Sequence, residues 1–282
     1  MKTYIVLSLG AGVQSSVLLL LACRGAIPKP DVTIFADTQW EPQAVYQHLW
    51  WLAEQAEKAG IPVIVASAGD LKADALRSMV RGTIEQGSRA VSMPLFTLGT
   101  DGKVGMIRRQ CTKEYKLEVV VNAVRSWVGL AKGQRAPATL SISQWIGISM
   151  DEKTRMRMSP HRWLINEYPL IGWPTNYLGE RPWTRAMCRS WFAEHYPGRS
   201  LPRSACLGCP FHSDEEWASM RDNSPAEFAD ACEFDSAIRQ HGGLRGKTFL
   251  HRSCIPLAEV DFSTPDPRQL SFATECLGMC GI

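Results

Sequence analysis

Two stretches of this chain carry residue types at spacings that can do chemistry. In the first, the apolar run Tyr4 to Leu7 empties into Ser8-Leu9-Gly10-Ala11-Gly12-Val13-Gln14-Ser15-Ser16 and then a Leu-rich segment. Gly10 and Gly12 let the backbone approach a phosphate closely. Ser8, Ser15 and Ser16 offer hydroxyl donors, and the free N–H groups that open the next helix complete an anion site. In the second, Cys206-Leu207-Gly208-Cys209-Pro210 holds a pair of thiols at C-x-x-C spacing, with a glycine between them that permits a tight turn. That spacing serves a redox dithiol, half of a zinc site or part of an iron–sulfur site. A thioredoxin-type dithiol needs the motif to open a helix after a strand, and here it follows Pro202-Arg203-Ser204. A metal needs further ligands, and Cys111 and Cys188 are available. Asp37-Thr38 closes the apolar run Val32 to Ala36. A carboxylate there can hold Mg²⁺ across the phosphates of a nucleotide or bond a ribose, or it can simply cap the helix that begins near Pro42.

These residues need elements to hold them. The pattern predicts a strand over 3–8, a helix over 13–24, a strand over 32–36, a helix over 42–59, a strand over 62–66 and a helix over 70–81. Continuous rather than alternating apolar strands belong to a parallel sheet covered on both faces, so the class is α/β with a doubly wound parallel sheet. In such a sheet ligands gather at the carboxyl ends of the strands, which puts the Ser8–Ser16 loop and Asp37-Thr38 on one rim. Gly99-Thr100-Asp101-Gly102 reads as a hairpin turn before a segment 103–107, followed by a helix over 112–128 and a strand over 144–149 that ends at Asp151 and Glu152. Beyond residue 160, repeated prolines punctuate short helices. We therefore read 1–155 as a nucleotide-binding core and 156–282 as a mostly helical, cysteine-bearing part packed on it. Within that part, Ser213 and Glu216 fit a capping box, and Trp183, Trp191 and Trp217 fit core positions.

With 282 residues, 45% of them hydrophobic and 21% charged, the chain has the composition of a folded globule. Its net charge of +3 does not by itself indicate a nucleic-acid partner, although basic residues cluster at 108–116 and 153–162. No apolar run reaches the ~18 residues needed to span a bilayer, and no leader pattern opens the chain. The expectation is a cytoplasmic protein with no membrane partner, whose nine cysteines are thiols or metal ligands rather than disulfides.

The loop lacks both the Lys-Ser/Thr ending of P-loop NTPases and the G-x-G-x-x-G of dinucleotide folds. It resembles the PP-loop, roughly S-G-G-x-D-S, of the ATP-pyrophosphatase and phosphoadenylyl-sulfate (PAPS) reductase superfamily, with Gln14 where that family has Asp. Further along come Arg109-Gln110-Cys111-Thr112 with Lys116, Tyr168-Pro169-Leu170-Ile171, Thr184-Arg185 with Cys188, and Cys206 to Phe211. This series is similar to phage PAPS-reductase-like proteins and to the sulfur-transfer component of DNA phosphorothioation systems. The resemblance covers about residues 1–260 and implies an adenine nucleotide alpha-hydrolase-like fold that binds ATP, or another adenine nucleotide, with Mg²⁺. It implies a [4Fe–4S] cluster on Cys111, Cys188, Cys206 and Cys209, with zinc as the alternative metal. Under it, Ser8, Gly10, Gly12, Gln14, Ser15 and Ser16 cradle phosphates, Asp37 and Thr38 position metal or ribose, and Arg109 and Lys116 neutralise developing phosphate charge. The tail Glu275-Cys276-Leu277-Gly278 is similar to the E-C-G of PAPS reductases, making Cys276 a candidate nucleophile. The implied activity is ATP-dependent transfer of sulfur, from a sulfur-donor protein, to a nucleic-acid or nucleobase acceptor. Thiol-dependent reduction of a sulfonucleotide is the first alternative, and nucleotide binding without catalysis the second.

Overall fold

The computed structural model describes residues 3–81, 91–179, 181–239 and 246–263. Cys276 lies outside them. The chain begins with strand β1 (Thr3–Leu9), helix α1 (Val13–Cys23), strand β2 (Val32–Asp37), helix α2 (Gln43–Lys58), strand β3 (Val63–Ser67) and helix α3 (Leu71–Arg81). This is the alternation the apolar pattern predicts, with ends within one residue at most places. A hairpin, β4 (Phe96–Leu98) and β5 (Val104–Met106), turns at Gly99–Gly102 as read from the sequence. Helix α4 (Glu118–Trp127) is entered through a π-helical turn, Lys113–Leu117.

Strand β6 (Ser141–Ile146) leaves the sheet earlier than the predicted 144–149. The reason is Gly147. A Cβ there would stand 2.7 Å from the backbone nitrogen of Ser15, so the chain must quit the ladder at that point to pass against the start of α1. After a 3₁₀ turn, Met150–Arg155, strand β7 (Leu164–Glu167) pairs parallel to β6 with Ile142 opposite Leu164. The sheet order is β3-β2-β1-β6-β7, all parallel, and its fifth strand thus comes from beyond residue 155, inside the segment read as mostly helical. The remaining elements are α5 (Arg185–His195), α6 (Asp214–Asn223), α7 (Pro225–Ala237) and β8 (Lys247–Phe249), which joins β4 and β5 in a small antiparallel sheet.

Alternate residues of the strands face opposite cores. Leu7, Leu9, Phe35 and Trp145 pack with α1, α2 and α5, whereas Val6, Ile34, Ile142 and Leu164 pack with α4. The fold is therefore α/β with a doubly wound parallel sheet. Helix α1 is buried on all sides from Val13 to Ala22, which explains its unbroken Leu-rich sequence, since a stripe would suffice for a surface helix. Each fully buried leucine of that run stabilises the fold by about 1.5–3 kcal/mol relative to exposure. Among the described residues no helix is long and apolar enough to cross a membrane.

Candidate functional site

At the carboxyl end of β1 the chain makes the turn Gly10-Ala11-Gly12 and enters α1. The left-handed position is Ala11 (φ 51°), a conformation that costs a residue with a Cβ about 1–2 kcal/mol. Gly12 is extended and serves a different purpose, because a Cβ there would come within 3.0 Å of Ser204 Cβ. No side chain caps the N-terminus of α1, and Val13, Gln14 and Ser15 of its first turn line the pocket. Ser15 Oγ accepts from Gly10 N at 3.1 Å and so closes the turn on itself.

The pocket over this turn is lined by the loop, by Gly147 and Ser204, and by Glu152, Arg155, Arg185 and Arg203. Each arginine arrives by a different route. Arg155 ends the 3₁₀ turn after β6. Arg185 is the first residue of α5, whose N-cap Thr184 accepts from Met187 N at 3.2 Å while Asp151 accepts from Arg185 N at 3.0 Å. Arg203 precedes Ser204, pairs with Glu216 and donates to the Phe211 carbonyl at 3.1 Å. Glu152 organises the interior. Its Oε2 accepts from Gln14 Nε2 and from Arg155 Nη1, both at 2.9 Å, and its Oε1 lies 3.6 Å from Arg185 Nη1. Gln14 Nε2 also donates to Ser149 Oγ at 3.2 Å. Burial pushes the Glu152 carboxyl above the usual carboxylate range, with Arg155 and Arg185 opposing it, and burial lowers Arg185. Guanidinium groups, the first turn of a helix and a close-approaching backbone are the groups with which proteins receive a phosphate or sulfate.

A second pocket opens beside it, lined by Thr38 at the end of β2, by Arg109, Cys111 and Lys116, and by Cys206, Cys209 and Phe211. The C-x-x-C turn is held from three sides. The Cys209 N–H donates to the Cys206 carbonyl at 3.0 Å, and Leu207 N donates to the Trp40 carbonyl at 2.8 Å. His212 Nε2 lies 3.0 and 3.2 Å from the carbonyls of Cys206 and Leu207, so that nitrogen carries the hydrogen. Gly208 is required because a Cβ would sit 2.0 Å from the Trp40 ring. Beneath the pocket, Glu41 Oε1 accepts from Thr38 Oγ1 at 2.9 Å and from Cys206 Sγ at 3.5 Å, and lies 3.5 Å from Lys116 Nζ. The capping box of Ser213 and Glu216 is present as the sequence indicates.

The predicted residues thus divide. Gly10, Gly12, Gln14 and Ser15 line the first pocket, and Thr38, Arg109, Cys111, Lys116, Cys206 and Cys209 line the second. Ser16 is fully buried and bonded to His48 at 3.0 Å, because the second hydroxyl of the pair falls on the inward face of α1. Ser8 is buried within β1 and lines neither pocket. Asp37 accepts from Gln39 N and the Tyr46 hydroxyl, each at 2.8 Å, so its carboxylate shapes the turn into α2. Cys188 lies in the core with α1 and α5, where burial pushes its thiol up to about 12. Among the described residues no three His, Cys, Asp or Glu side chains are placed to hold a metal ion; Cys111, Cys206 and Cys209 border one pocket, and Cys188 is not among its lining residues. They do not fit a four-cysteine cluster as placed here. Sequence reasoning missed Glu152, Arg155, Arg185 and Arg203 as one group. The available signals were the carboxylates at a strand end and the Thr-Arg pair ahead of a helix.

No protein-family model matches the chain, and no curated protein matches it either.

Proposed function

We propose that this protein binds an adenine nucleotide by its phosphates in the arginine-lined pocket and performs sulfur chemistry on or with it at the neighbouring thiol pocket. The observation that carries the reading is the juxtaposition itself: the segment from Arg203 to Cys209 lends Arg203 and Ser204 to one pocket and Cys206 and Cys209 to the other. In the leading form of the reaction an acceptor oxygen attacks the α-phosphorus of ATP and pyrophosphate leaves. A sulfur nucleophile then attacks the activated carbon and AMP departs with the bonding electron pair. The loop N–H groups and Arg155, Arg185 and Arg203 would stabilise the charge that builds on the phosphates. The test is product analysis with ATP, sulfide and a nucleic-acid acceptor. AMP and pyrophosphate formed in step with sulfur incorporation support the reading; ADP and phosphate, or no dependence on ATP, overturn it.

One observation favours the reductive alternative. Gln14 is uncharged, and the pocket's carboxylate, Glu152, is already engaged by Arg155 and Arg185. Among the described residues that leaves no loop carboxylate free for Mg²⁺. A thiolate would then attack the sulfur of a phosphosulfate, expelling the nucleotide phosphate, and a second thiol would release sulfite. Sulfite formed from PAPS with a dithiol reductant and without ATP selects this reading.

A further inference from the structure

The arginine-lined pocket contains one feature that an anion receptor should avoid, a buried carboxylate. Glu152 is 8% exposed and lines the same space as the guanidinium groups. Its Oε2 is used by Gln14 and Arg155, while Oε1 has no hydrogen-bond partner and only the longer approach of Arg185 at 3.6 Å. A phosphate group entering this pocket meets that oxygen. Two anionic oxygens cannot share a desolvated site without a cation or a proton between them.

The charged groups around Glu152 decide which it is. From its own turn come Arg155 and Asp151, from α5 comes Arg185, and from the segment before the C-x-x-C turn comes Arg203, which shares the pocket; Gln14 and Ser149 are neutral. No second carboxylate lines the pocket among the described residues, and the one present is already paired with guanidinium groups, which a divalent cation would have to displace. A proton needs only one oxygen.

We propose that Glu152 is a positioning and specificity-determining residue: as a carboxylate it holds Gln14, Arg155 and Arg185 in place in the empty pocket, and it takes up a proton when a metal-free phosphate enters. The protonated Oε1 then donates to the phosphate, and the arginines turn their charge to the anion. This rests on the reading of the pocket as a phosphate receptor, and it makes the preferred ligand a polyphosphate or phosphosulfate free of divalent cation. The proton comes from solvent, and release of the ligand returns it.

The experiment is titration calorimetry of the whole protein with inorganic pyrophosphate in the presence of a chelator. It is run in two buffers of different ionisation heat and across about pH 6 to 8.5, for the wild type and for Glu152→Gln. The protonation of pyrophosphate itself is common to both proteins and cancels in the comparison. The expected result is binding by both, with about one more proton taken up by the wild type than by E152Q. Its affinity relative to the variant should fall about tenfold per pH unit at the alkaline end. Equal uptake by the two proteins overturns the inference, as does binding that requires Mg²⁺ and weakens in E152Q, which would make Glu152 a metal ligand. Should E152Q fail to fold, wild-type uptake in excess of that measured for pyrophosphate alone decides the matter. ATP in a parallel titration separates the two levels. Pyrophosphate bound with proton uptake but ATP not bound leaves this inference standing and removes the adenine-nucleotide reading. No binding of pyrophosphate under any condition removes both.

Discussion

The two pockets share one rim of one sheet and are built on opposite principles. Over the Gly10–Gly12 turn the polar groups face inward, toward the space a ligand takes, and Glu152 holds them there. Around Cys206 the lining is thiols, Phe211 and Pro210 beside Arg109 and Lys116, and Lys116 is paired with the buried Glu41. The first pocket suits a hard anion that keeps many hydrogen bonds. The second suits a soft, polarisable group that needs few. The proposed pairing of phosphate with sulfur chemistry would need both environments, and the segment from Arg203 to Cys209, which lends residues to each pocket, is where they meet.

The sharpest way to separate them is Lys116→Met. It leaves the Glu41 carboxylate buried without its cation, and removing one partner of a buried pair costs about 3–5 kcal/mol. Denaturant unfolding should show that loss, while pyrophosphate affinity measured in the folded fraction stays near wild type.

Acid should undermine the other side. His48 lies under the loop, bonded to Ser16, and burial, helped by Arg199, pushes its pKa down from 6.5 to about 4. The unfolded chain accepts a proton at the ordinary value and the folded chain resists until much lower pH. The stabilisation is therefore complete above pH 6.5 and drains away as pH falls toward 4, reaching about 2–3 kcal/mol. Thermal melts of wild type and His48→Gln compared over that window should show the steeper acid limb only in the wild type.

A smaller effect is expected from Arg185→Gln, which removes one charged donor from the anion receptor. Pyrophosphate affinity should drop about 10- to 100-fold, the value of a charge-assisted hydrogen bond, with Cys206 and Cys209 alkylated as readily as before. If the thiols change reactivity instead and the affinity holds, the division between the pockets is wrong. Gly147→Ala forces the backbone of Ser15 to move and should cost about 1–3 kcal/mol in stability and weaken anion binding with every arginine still present. Ala11→Gly comes last. Relief of the left-handed strain and the greater freedom of the unfolded glycine oppose each other, so stability should stay within about 1 kcal/mol of wild type by denaturant midpoint.

The parallel sheet was legible because its strands are continuous apolar runs separated by helical periodicity, a local signal. Strand β7 was not, since Leu164-Ile165-Asn166-Glu167 is short and sits among prolines, and only its pairing with β6 makes it a strand. The glycine loop was legible for the same local reason. Its partners were not: Gln14 finds Glu152 from 138 residues away, and no spacing rule connects them. The serine pair at 15 and 16 shows the limit in miniature. Both carry the same hydroxyl, yet one residue of helical rotation sends the first to the loop and the second to His48. The cysteines were visible as types, but where Cys188 lies depends on α5 packing against α1, which is tertiary.

Gly12 against Ser204 has a metric consequence. From Ser204 to Cys206 the backbone advances two residues, so their Cα atoms are at most ~7 Å apart. The segment is a ruler fixed at both ends, by the glycine turn and by Trp40. A molecule anchored by its phosphates at the zero mark has its next few atoms opposite the thiols. On the proposed reading, the chain would select its substrate by length as well as by charge.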